Sequence, residues 1–582
     1  MRKLTLLLGS ALITAPIAAA TVTVAPAPPL PTSAPSPQLG DADRAAYAAV
    51  FAAIRAGDWN GASGALDALP AGPLTPLARA ELYIARGAPA ADVATLAALL
   101  ATAPDLPEAP ALARLARARG AADLPALPPQ RDLIRLAGAS KRAASRPTRS
   151  DAAVQTLALQ VQPLLKAGDP VAAEPLVEAA VPLLTPEATT EWRQRVAWAW
   201  FQSGDDSSAR RVAALAQGGA GAWAVDASWV AGLAAWRMAD YPAAADAFAR
   251  VAGNGSDAET RAAGLYWAAR SDIAGAHPER VAARLRTASR MGETFYGMLA
   301  GAALGLPAPA MTLAPDALGE TALLNRPNLR AAAALVEIGE TALADQLLRH
   351  QARIGPAPEH AQLIRLASRL GLPATQVWLA QNAPAGTRTS TAERYPMPGW
   401  SPSGGWRVDR ALLFAHALQE SQLRTDAVSR TGARGLMQLM PGTARLVARH
   451  KGETPDAADR MGDPALNFEY GQSYLEELAG HAGTGGLLPK VIAAYNAGPN
   501  NVALWNLQRA VQADPLLFIE AIPFGETRAY VAIVLRNYWM YQRETATPTA
   551  SLTALAQGRW PRFPTVAGRT ALHAPAATTA AD

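Results

Sequence analysis

The sequence contains no cysteine and is poor in charged and aromatic residues, which make up 17% and 6% of its 582 residues. Without cysteine there is no disulfide framework, thiolate metal site, cysteine nucleophile or lipid-modified N-terminal cysteine. Half of the residues are hydrophobic, which excludes disorder as a description of the whole chain. Much of this apolar share is alanine, the best helix former, so we expect closely packed helices.

Basic residues exceed acidic residues by 53 to 48, which gives a formal net charge of +5. A basic surface favours a polyanionic partner, such as nucleic acid, an anionic lipid surface or a cell-wall polymer. No concentrated basic and aromatic face occurs, which argues against nucleic acid as the partner. The seven histidines do not fall at ligand spacings and no calcium-loop pattern is present, so we predict no metal or cofactor.

The first residues have the three-part organisation of a secretory signal peptide. Arg2 and Lys3 precede an apolar run from Leu4 to Ile13, and Ala18-Ala19-Ala20 supplies a cleavage site. The alternative is a membrane anchor, but a spanning helix requires about 20 apolar residues, roughly twice the strongly apolar part here. Because charges interrupt every later alanine-rich run, we expect no transmembrane segment. The signal peptide predicts that the protein is exported.

The middle of the chain alternates apolar-periodic runs with short breaks of similar sequence. Five breaks place a small residue before an acid: Gly57-Asp58, Gly168-Asp169, Gly204-Asp205, Ala239-Asp240 and Gly339-Glu340. The small residue would end one helix, and the acid would favour the positive N-terminal end of the next. Three of the breaks recur about 35 residues apart, the period of tetratricopeptide-like hairpins. We therefore predict a curved solenoid in preference to a generic helical bundle.

Within this array we find no metal spacing, phosphate loop or nucleophile motif. One basic stretch is predicted to be a solvated loop, and it contains Lys141, Arg142, Arg146 and Arg149. The tryptophans are interpreted as core anchors in preference to sugar platforms: Trp192, Trp198, Trp200, Trp223, Trp229, Trp236 and Trp267. The run from Thr294 to Ala300 is interpreted as a docking surface at the end of the array.

The composition changes after Tyr395, and an amphipathic helix is predicted from Val408 to Gln419, ending in Glu420. Burial against this apolar helix and the negative end of the helix dipole would both raise the pKa of the Glu420 carboxyl. A carboxyl that stays protonated near neutral pH is what a general acid requires. The alternative is a helix-end glutamate paired with Arg424 or Arg434.

Several motifs in order resemble the soluble lytic transglycosylases of the bacterial periplasm. They are Glu420-Ser421, the stretch from Ser429 to Pro441 containing Gly435-Leu436-Met437-Gln438, Ala494-Tyr495-Asn496-Ala497-Gly498, and the closing segment from Ile522 to Tyr530. Phe295-Tyr296-Gly297 lies where the superhelical body of the large members ends. The resemblance implies a mainly α protein, with an alanine-rich helical-hairpin superhelix followed by a lysozyme-like, mostly helical catalytic domain.

The resemblance also implies roles for individual residues, with Glu420 as the single catalytic acid and base. Tyr495 would face Glu420 and help to position it. The implied substrate-binding residues are Ser429, Gly435, Met437, Gln438, Met440, Tyr495, Asn496 and Glu526. The alternatives are that both methionines are core residues, that Gly435 forms only a turn, and that Glu526 pairs with Arg528. The sequence departs from the family pattern at Leu423, often aromatic, and at Thr425, often proline.

The implied activity is non-hydrolytic cleavage of the β-1,4 bond between N-acetylmuramic acid and N-acetylglucosamine in peptidoglycan, forming 1,6-anhydromuramic ends without metal or cofactor. The alternatives are a goose-type lysozyme-like hydrolase of the same bond and a non-catalytic peptidoglycan-binding scaffold. The implied partners are glycan strands, stem peptides and other cell-wall enzymes, with no nucleic acid.

These interpretations divide the chain into five parts and place the protein in the periplasm. The predicted parts are a signal peptide at residues 1–20, a proline-rich tether at 21–40, a helical superhelix and linker at 41–390, a lysozyme-like catalytic domain at 391–545, and a disordered tail at 546–582.

Overall fold

The computed structural model shows a mainly helical chain, which confirms the predicted fold class. It describes residues 35–136, 141–148, 151–307, 320–387, 389–454, 459–507 and 513–565. The predicted signal peptide and most of the predicted tether lie outside these ranges. Within the described part, the strands form a single two-stranded antiparallel sheet, in which β1 (Ile134–Arg135) pairs with β2 (Asn382–Ala383). Every helix in these ranges is too short or too polar to span a bilayer.

The array comprises helices α1 to α19, together with two short 3-10 helices at Val181–Leu183 and Ala357–Glu359. The α-helices are α1 (Asp41–Ala56), α2 (Trp59–Ala68), α3 (Thr75–Ile84), α4 (Val93–Thr102), α5 (Ala109–Ala118), α6 (Ala152–Ala167), α7 (Pro170–Ala180), α8 (Pro186–Ser203), α9 (Asp206–Gln217), α10 (Trp223–Arg237), α11 (Tyr241–Asn254), α12 (Ala258–Ala274), α13 (Pro278–Ser289), α14 (Phe295–Ala303), α15 (Glu320–Leu324), α16 (Pro327–Glu337), α17 (Thr341–Ile354), α18 (His360–Arg369) and α19 (Pro373–Gln381).

Four of the five predicted breaks are N-caps whose aspartate accepts a hydrogen bond from the backbone N–H three residues later. These aspartates are Asp58, Asp169, Asp205 and Asp240, with distances of 2.9, 3.0, 2.9 and 3.2 Å. The small residue before each one has a positive φ, as a helix-ending residue often does. Glu340 differs, because its side chain forms an ion pair with Arg55 and makes no capping hydrogen bond.

Small residues allow the hairpins of the array to pack closely. A Cβ atom on Gly264 of α12 would lie 2.5 Å from the Ala252 nitrogen of α11, so no larger residue fits there without movement. Trp192 and Trp267 are fully buried, which confirms that they are core anchors. Trp198, Trp200, Trp229 and Trp236 are partly buried and pack against the same core.

The two ends of the array meet. Helices α1–α5 share one hydrophobic core with α15–α19, which lie about 200 residues later in the chain. Glu337 accepts a hydrogen bond from the Gln38 backbone N–H at 2.5 Å and forms an ion pair with Arg44 at 3.0 Å. Leu39 is buried, so the end of the predicted tether is part of this contact. The array therefore closes on itself.

The C-terminal domain is built around the long helix α27. Its helices are α20 (Thr391–Arg394), α21 (Arg410–Ser421), α22 (Pro441–His450), α23 (Pro464–Gly480), α24 (Leu488–Ala497), α25 (Pro499–Trp505), α26 (Pro515–Ala521), α27 (Gly525–Glu544) and α28 (Ala550–Ala556). Helices α21 and α24 pack against α27, and α14 of the array packs against α27 and α28. This contact confirms that the run beginning at Thr294 is a docking surface.

The prediction of a disordered tail from residue 546 is wrong for residues 546–565. Leu552 and Leu555 of α28 are buried, and Trp539 Nε1 donates a hydrogen bond to Ser551 Oγ at 2.9 Å. Further along, the Phe563 backbone N–H donates to the Gly486 carbonyl at 2.9 Å. The few apolar residues in this Ala-, Thr- and Pro-rich segment are enough to anchor it. Residues 566–582 lie outside the described ranges.

The prediction of a solvated basic loop is wrong for Arg142. Its guanidinium donates to both carboxylate oxygens of the buried Glu520, at 2.9 and 2.6 Å, and lies 4.2 Å from the centre of the Trp229 ring. Lys141 and Arg146 are exposed, as expected for a solvated loop, and Arg149 lies outside the described ranges. Arg142 therefore joins the segment after β1 to the C-terminal domain.

Candidate active site

Helix α21 carries Glu420 on its last turn. Asp409 caps the start of the helix by accepting a hydrogen bond from the Ala411 N–H at 2.9 Å, and the residues from Ala411 to Leu418 are buried. The helix ends because Gln422 and Leu423 both adopt left-handed conformations, with φ of 54° and 63°. Two consecutive non-glycine residues in this region are unusual and tend to occur at functional sites.

The Glu420 carboxyl has a tyrosine as its partner. Tyr530 of α27 donates a hydrogen bond to Glu420 Oε1 at 2.6 Å. Burial raises the pKa of Glu420 to about 7; the Tyr530 hydrogen bond opposes this shift and the Glu526 charge adds to it. The alternative ion pairs are not formed, since Arg424 contacts Asp426 at 3.4 Å and the side chain of Arg434 is exposed. Glu420 is thus suited to donate a proton near neutral pH.

A second layer of aromatic side chains lies behind Glu420. His416, one turn earlier on α21, is fully buried, and its Nδ1 lies 2.8 Å from the Tyr530 hydroxyl. Burial lowers the pKa of His416 to about 3, so its imidazole is neutral. The Tyr495 ring centre lies 4.7 Å from that of His416, and its hydroxyl donates to the Met437 carbonyl at 2.7 Å. Burial is the main cause that raises the pKa of Tyr495, and the charge of Glu420 raises it further.

Gly435 is required by close packing as well as by a turn. Its φ is +74°, and an added Cβ atom would lie 2.0 Å from the Met461 carbonyl oxygen and 2.3 Å from Asn467 Nδ2. The Asn467 amide in turn accepts a hydrogen bond from the Met437 N–H at 2.8 Å. The loop that leads to α22 is therefore held against α23 with no room for a side chain at Gly435.

The two methionines of this loop lie in opposite environments. Met437 is completely buried, and its sulfur would lie 2.1 Å from a Cβ atom on Gly471 of α23. The Met437 side chain thus fills the core between the loop and α23, as the alternative for this residue predicts, and a contact of Met437 with substrate stays a prediction. Met440, just before α22, is 43% exposed, and its contact with substrate stays a prediction.

Ser429 closes a tight turn. Its Oγ accepts a hydrogen bond from the Ala433 N–H at 2.9 Å, and its own N–H donates to the Ala433 carbonyl at 2.9 Å. Gln438 lies in the same loop with a φ of +47°, and its Nε2 donates to the Ala427 and Gly435 carbonyls. Both side chains are thus oriented by the loop itself, and their substrate contacts stay predictions.

The remaining predicted residues lie on α24 and at the start of α27. The Asn496 Oδ1 accepts a hydrogen bond from Thr527 Oγ1 at 2.6 Å. Glu526 is exposed one turn before Tyr530, and its charge acts on Glu420. Its alternative partner Arg528 instead donates to the Ile522 carbonyl at 3.0 Å, so that alternative is wrong. The structure therefore brings Glu526 to the same site as Glu420.

The sequence did not assign a role to Tyr530 or His416. Tyr530 was part of the closing motif, but nothing in the motif indicates that its hydroxyl meets Glu420. His416 precedes Glu420 by four residues, a spacing that puts both side chains on one helix face. Among the described residues, no cluster of three or more His, Asp or Glu side chains is arranged to hold a metal ion.

Comparison with known proteins agrees with this site. Residues 402–517 match the family model described as the Transglycosylase SLT domain. The soluble lytic murein transglycosylases of Escherichia coli K12 and Salmonella typhimurium are 34% and 36% identical over 158 and 147 residues. These matches cover 27% and 24% of this chain, and 24% and 22% of the relatives. The aligned part thus spans about a quarter of the length of these relatives.

The fold is similar over a much larger part of the chain. The crystal structure of the 70 kDa soluble lytic transglycosylase from Escherichia coli matches with a TM-score of 0.57 and 18% identity, over 90% of this chain and 99% of that one. A structure of the lytic transglycosylase Slt from Pseudomonas aeruginosa matches with a TM-score of 0.53 and 19% identity, over 88% of each chain. The chain therefore carries a Transglycosylase SLT domain at residues 402–517, and its fold is similar to that of solved soluble lytic transglycosylases over most of its length.

Proposed function

We propose that this protein cleaves the β-1,4 bond between N-acetylmuramic acid and N-acetylglucosamine in peptidoglycan and leaves a 1,6-anhydromuramic end. Glu420 would act first as the acid and then as the base. The observation that carries this proposal is the partly buried Glu420 carboxyl, whose pKa is raised to about 7 and whose direct partner is a tyrosine hydroxyl. A carboxyl in this setting exchanges a proton near neutral pH in both directions.

In the first step, the protonated Glu420 carboxyl donates its proton to the oxygen that links the two sugars. The bond from this oxygen to C1 of the muramic sugar breaks, and the acetamido group of the same sugar stabilises C1 as an oxazolinium ion. Ordinary glycosidases place a second carboxylate at this position. Here Glu526 is the one carboxylate, among the described residues, whose charge acts on Glu420, and it is exposed at the start of α27.

In the second step, the Glu420 carboxylate accepts the proton of the C6 hydroxyl and the C6 oxygen bonds to C1. The bond from C1 to the acetamido oxygen breaks at the same time, which restores the acetamido group and closes the anhydro ring. Glu420 is then protonated again and the cycle is complete without water. An internal hydroxyl avoids the entropic cost of capturing a separate nucleophile, an advantage that reaches about 7–11 kcal/mol for well-oriented intramolecular reactions.

The activities for which similar proteins are named support this proposal. Two of them are soluble lytic murein transglycosylases, and the 70 kDa soluble lytic transglycosylase has been solved in complex with bulgecin A. The Pseudomonas aeruginosa structure is described as an inactive variant in which one glutamate is replaced by glutamine. We extend that single-glutamate requirement to Glu420 of this chain.

We further propose that the glycan lies along Ser429, Gln438, Met440 and Asn496, with Glu526 near a binding end. Met440 is exposed and the two amides are already oriented by the protein, which supports direct contact with the sugars. Stem peptides and other cell-wall enzymes would be further partners, and export by the N-terminal signal would place the protein in the periplasm.

Digestion of purified sacculi in ¹⁸O-labelled water tests the proposed reaction, with mass analysis of the released muropeptides. Anhydro ends are expected to be unlabelled and about 18 Da lighter than hydrolytic ends, because no water is added. Labelled, reducing ends would instead establish the hydrolase. Binding to sacculi without any release of muropeptides would establish the scaffold.

A further inference from the structure

A buried histidine contacts the proposed acid through a tyrosine. The Tyr530 hydroxyl lies 2.6 Å from Glu420 Oε1 and 2.8 Å from His416 Nδ1. His416 has no exposed surface, and its Nε2 has no hydrogen-bond partner among the described residues. The mechanism proposed above uses neither the histidine nor the direction of the tyrosine proton. This inference rests on that proposed function.

The unpartnered Nε2 determines which ring nitrogen carries the proton. The neutral imidazole has one N–H donor and one acceptor nitrogen. A proton on Nε2 would be a buried donor without an acceptor, and orphaned buried N–H groups are rarer than under-satisfied acceptors. A proton on Nδ1 instead makes a hydrogen bond to the Tyr530 oxygen. The Nδ1–H form of His416 is therefore favoured.

This choice of tautomer fixes the direction of the next hydrogen bond. Because His416 donates to the Tyr530 oxygen, the single hydroxyl proton of Tyr530 is directed to Glu420 Oε1. Oε1 then acts as an acceptor whether or not Glu420 is protonated. The acidic proton must reside on the other carboxyl oxygen, Oε2.

We infer that His416 is a positioning residue, which acts through Tyr530 to keep the transferable proton of Glu420 on Oε2. A proton kept on one oxygen is available to the substrate in a single geometry. Without His416, Tyr530 is free to accept a hydrogen bond from Glu420, and the acidic proton is then held by the tyrosine for part of the time. His416 itself lies behind the site and touches no substrate.

Four titratable groups from three helices face Glu420. The variants described below replace His416 and Tyr530 and leave Glu526 and Tyr495 unchanged. His416 precedes it on α21, and Tyr530 and Glu526 face it from α27. Tyr495 faces it from α24. The hydrogen bond from Tyr530 lowers the pKa of Glu420. If Tyr530 donates this hydrogen bond for only part of the time, as expected without His416, the pKa of Glu420 rises and its carboxyl stays protonated to higher pH.

The test compares His416→Leu, which removes the donor, with His416→Asn, whose Nδ2 group can take the place of Nδ1–H. For His416→Leu we expect kcat on sacculi to fall about tenfold, the value of one hydrogen bond, with KM unchanged. The alkaline limb of kcat/KM should move up by roughly half a pH unit. His416→Asn should restore kcat to within about threefold of the parent value.

Two further measurements separate positioning from a general structural effect. In a Tyr530→Phe background, His416→Leu should change kcat by less than about twofold, because the residue through which it acts is gone. In the unmodified protein, ¹⁵N NMR of labelled histidine should show the His416 Nδ1 as protonated and its Nε2 as unprotonated, so the inference is testable even if His416→Leu does not fold.

An Nε2–H tautomer would overturn the inference, and so would a His416→Leu variant with the parent's kcat and alkaline limb. A loss in His416→Leu that is equally large in the Tyr530→Phe background also overturns it. The Glu420→Gln variant distinguishes this failure from failure of the proposed function. If Glu420→Gln is inactive while the histidine variants behave like the parent, only the role of His416 is wrong. If Glu420→Gln keeps full activity, the proposed function is wrong.

Discussion

The ring of Phe295, the first residue of α14, stacks on the ring of Trp539 in α27, with centroids 5.3 Å apart and planes 13° apart. This contact joins α14 of the array to α27, the helix that carries Tyr530. Beside it, the buried Tyr296 hydroxyl donates to Glu520 at 2.6 Å, and Trp267 donates to Tyr296 at 2.8 Å. The array and the C-terminal domain thus share a hydrogen-bonded, apolar interface.

Arg142 is expected to contribute to stability through this interface. Replacing it with alanine leaves the buried Glu520 carboxylate without its bidentate partner, and breaking a buried ion pair typically costs about 3–5 kcal/mol. Because the Arg142 side chain is one-third exposed, we expect the lower end, about 3 kcal/mol in the free energy of unfolding. Urea denaturation of Arg142→Ala measures this loss.

Arg146 provides the matched control, since it lies on the same segment with an exposed side chain. Arg146→Ala should change the free energy of unfolding by less than about 0.5 kcal/mol. The double variant Arg142→Ala, Glu520→Gln should recover part of the loss, because the unpaired charge is removed. Equal losses in both single variants would show that the ion pair does not stabilise the interface.

The sequence predicted features that depend on neighbouring residues. The N-caps at Asp58, Asp169, Asp205 and Asp240 follow from a small residue and an acid side by side. The raised pKa of Glu420 follows from its place at the end of an apolar helix. The capping groups lie within one helical turn, so periodicity and composition carry the information. For Glu420 the apolar helix predicts the direction of the shift, whereas Tyr530 and Glu526, which also act on its pKa, lie more than 100 residues away in the sequence.

Features that depend on distant residues could not be predicted in this way. Glu520, the partner of Arg142, lies 378 residues away in the sequence, so a charge run on its own appeared to be a solvated loop. The tail was predicted to be disordered from its composition, although α28, which carries the buried Leu552 and Leu555, packs against α14. The roles of Met437 and Met440 depend on which of the two side chains packs against α23. The sequence motif that contains both residues does not specify which one does.

Substitution of these two methionines should separate folding from binding. Met437→Ala removes a fully buried side chain, and such truncations cost about 2–5 kcal/mol. Met440→Ala should leave the free energy of unfolding nearly unchanged and raise KM for glycan, since the exposed side chain is proposed to contact the sugars. Thermal unfolding and steady-state kinetics on both variants measure the two effects. A Met437→Ala variant with unchanged stability and a raised KM would indicate that Met437 contacts the glycan.

The last prediction concerns the dependence of stability on pH. The pKa of Glu420 is about 7 in the folded protein and is taken as its ordinary value, 4.5, in the unfolded chain. The folded state therefore holds a proton that the unfolded state releases between these values. The stability from this group is fully present below pH 4.5 and is lost as the pH rises through 7.

Glu420→Gln removes this titration, since the amide keeps the shape of the carboxyl and cannot ionise. Relative to the parent, the variant should gain about 2–3 kcal/mol in the free energy of unfolding between pH 5 and pH 8. Glu108, whose pKa burial also raises to about 7, is present in both proteins and cancels in the difference.

The same variant should lose activity by a factor of about 10²–10⁴, because the amide cannot deliver a proton. Urea denaturation at the two pH values, with turnover of sacculi measured in parallel, checks both expectations. Since the gain in stability between pH 5 and pH 8 and the loss of activity have one cause, the removal of the carboxyl proton, they should occur together. A stability difference that does not change between pH 5 and pH 8 would show that Glu420 ionises at an ordinary pKa, and a carboxylate already formed at neutral pH could not serve as the acid.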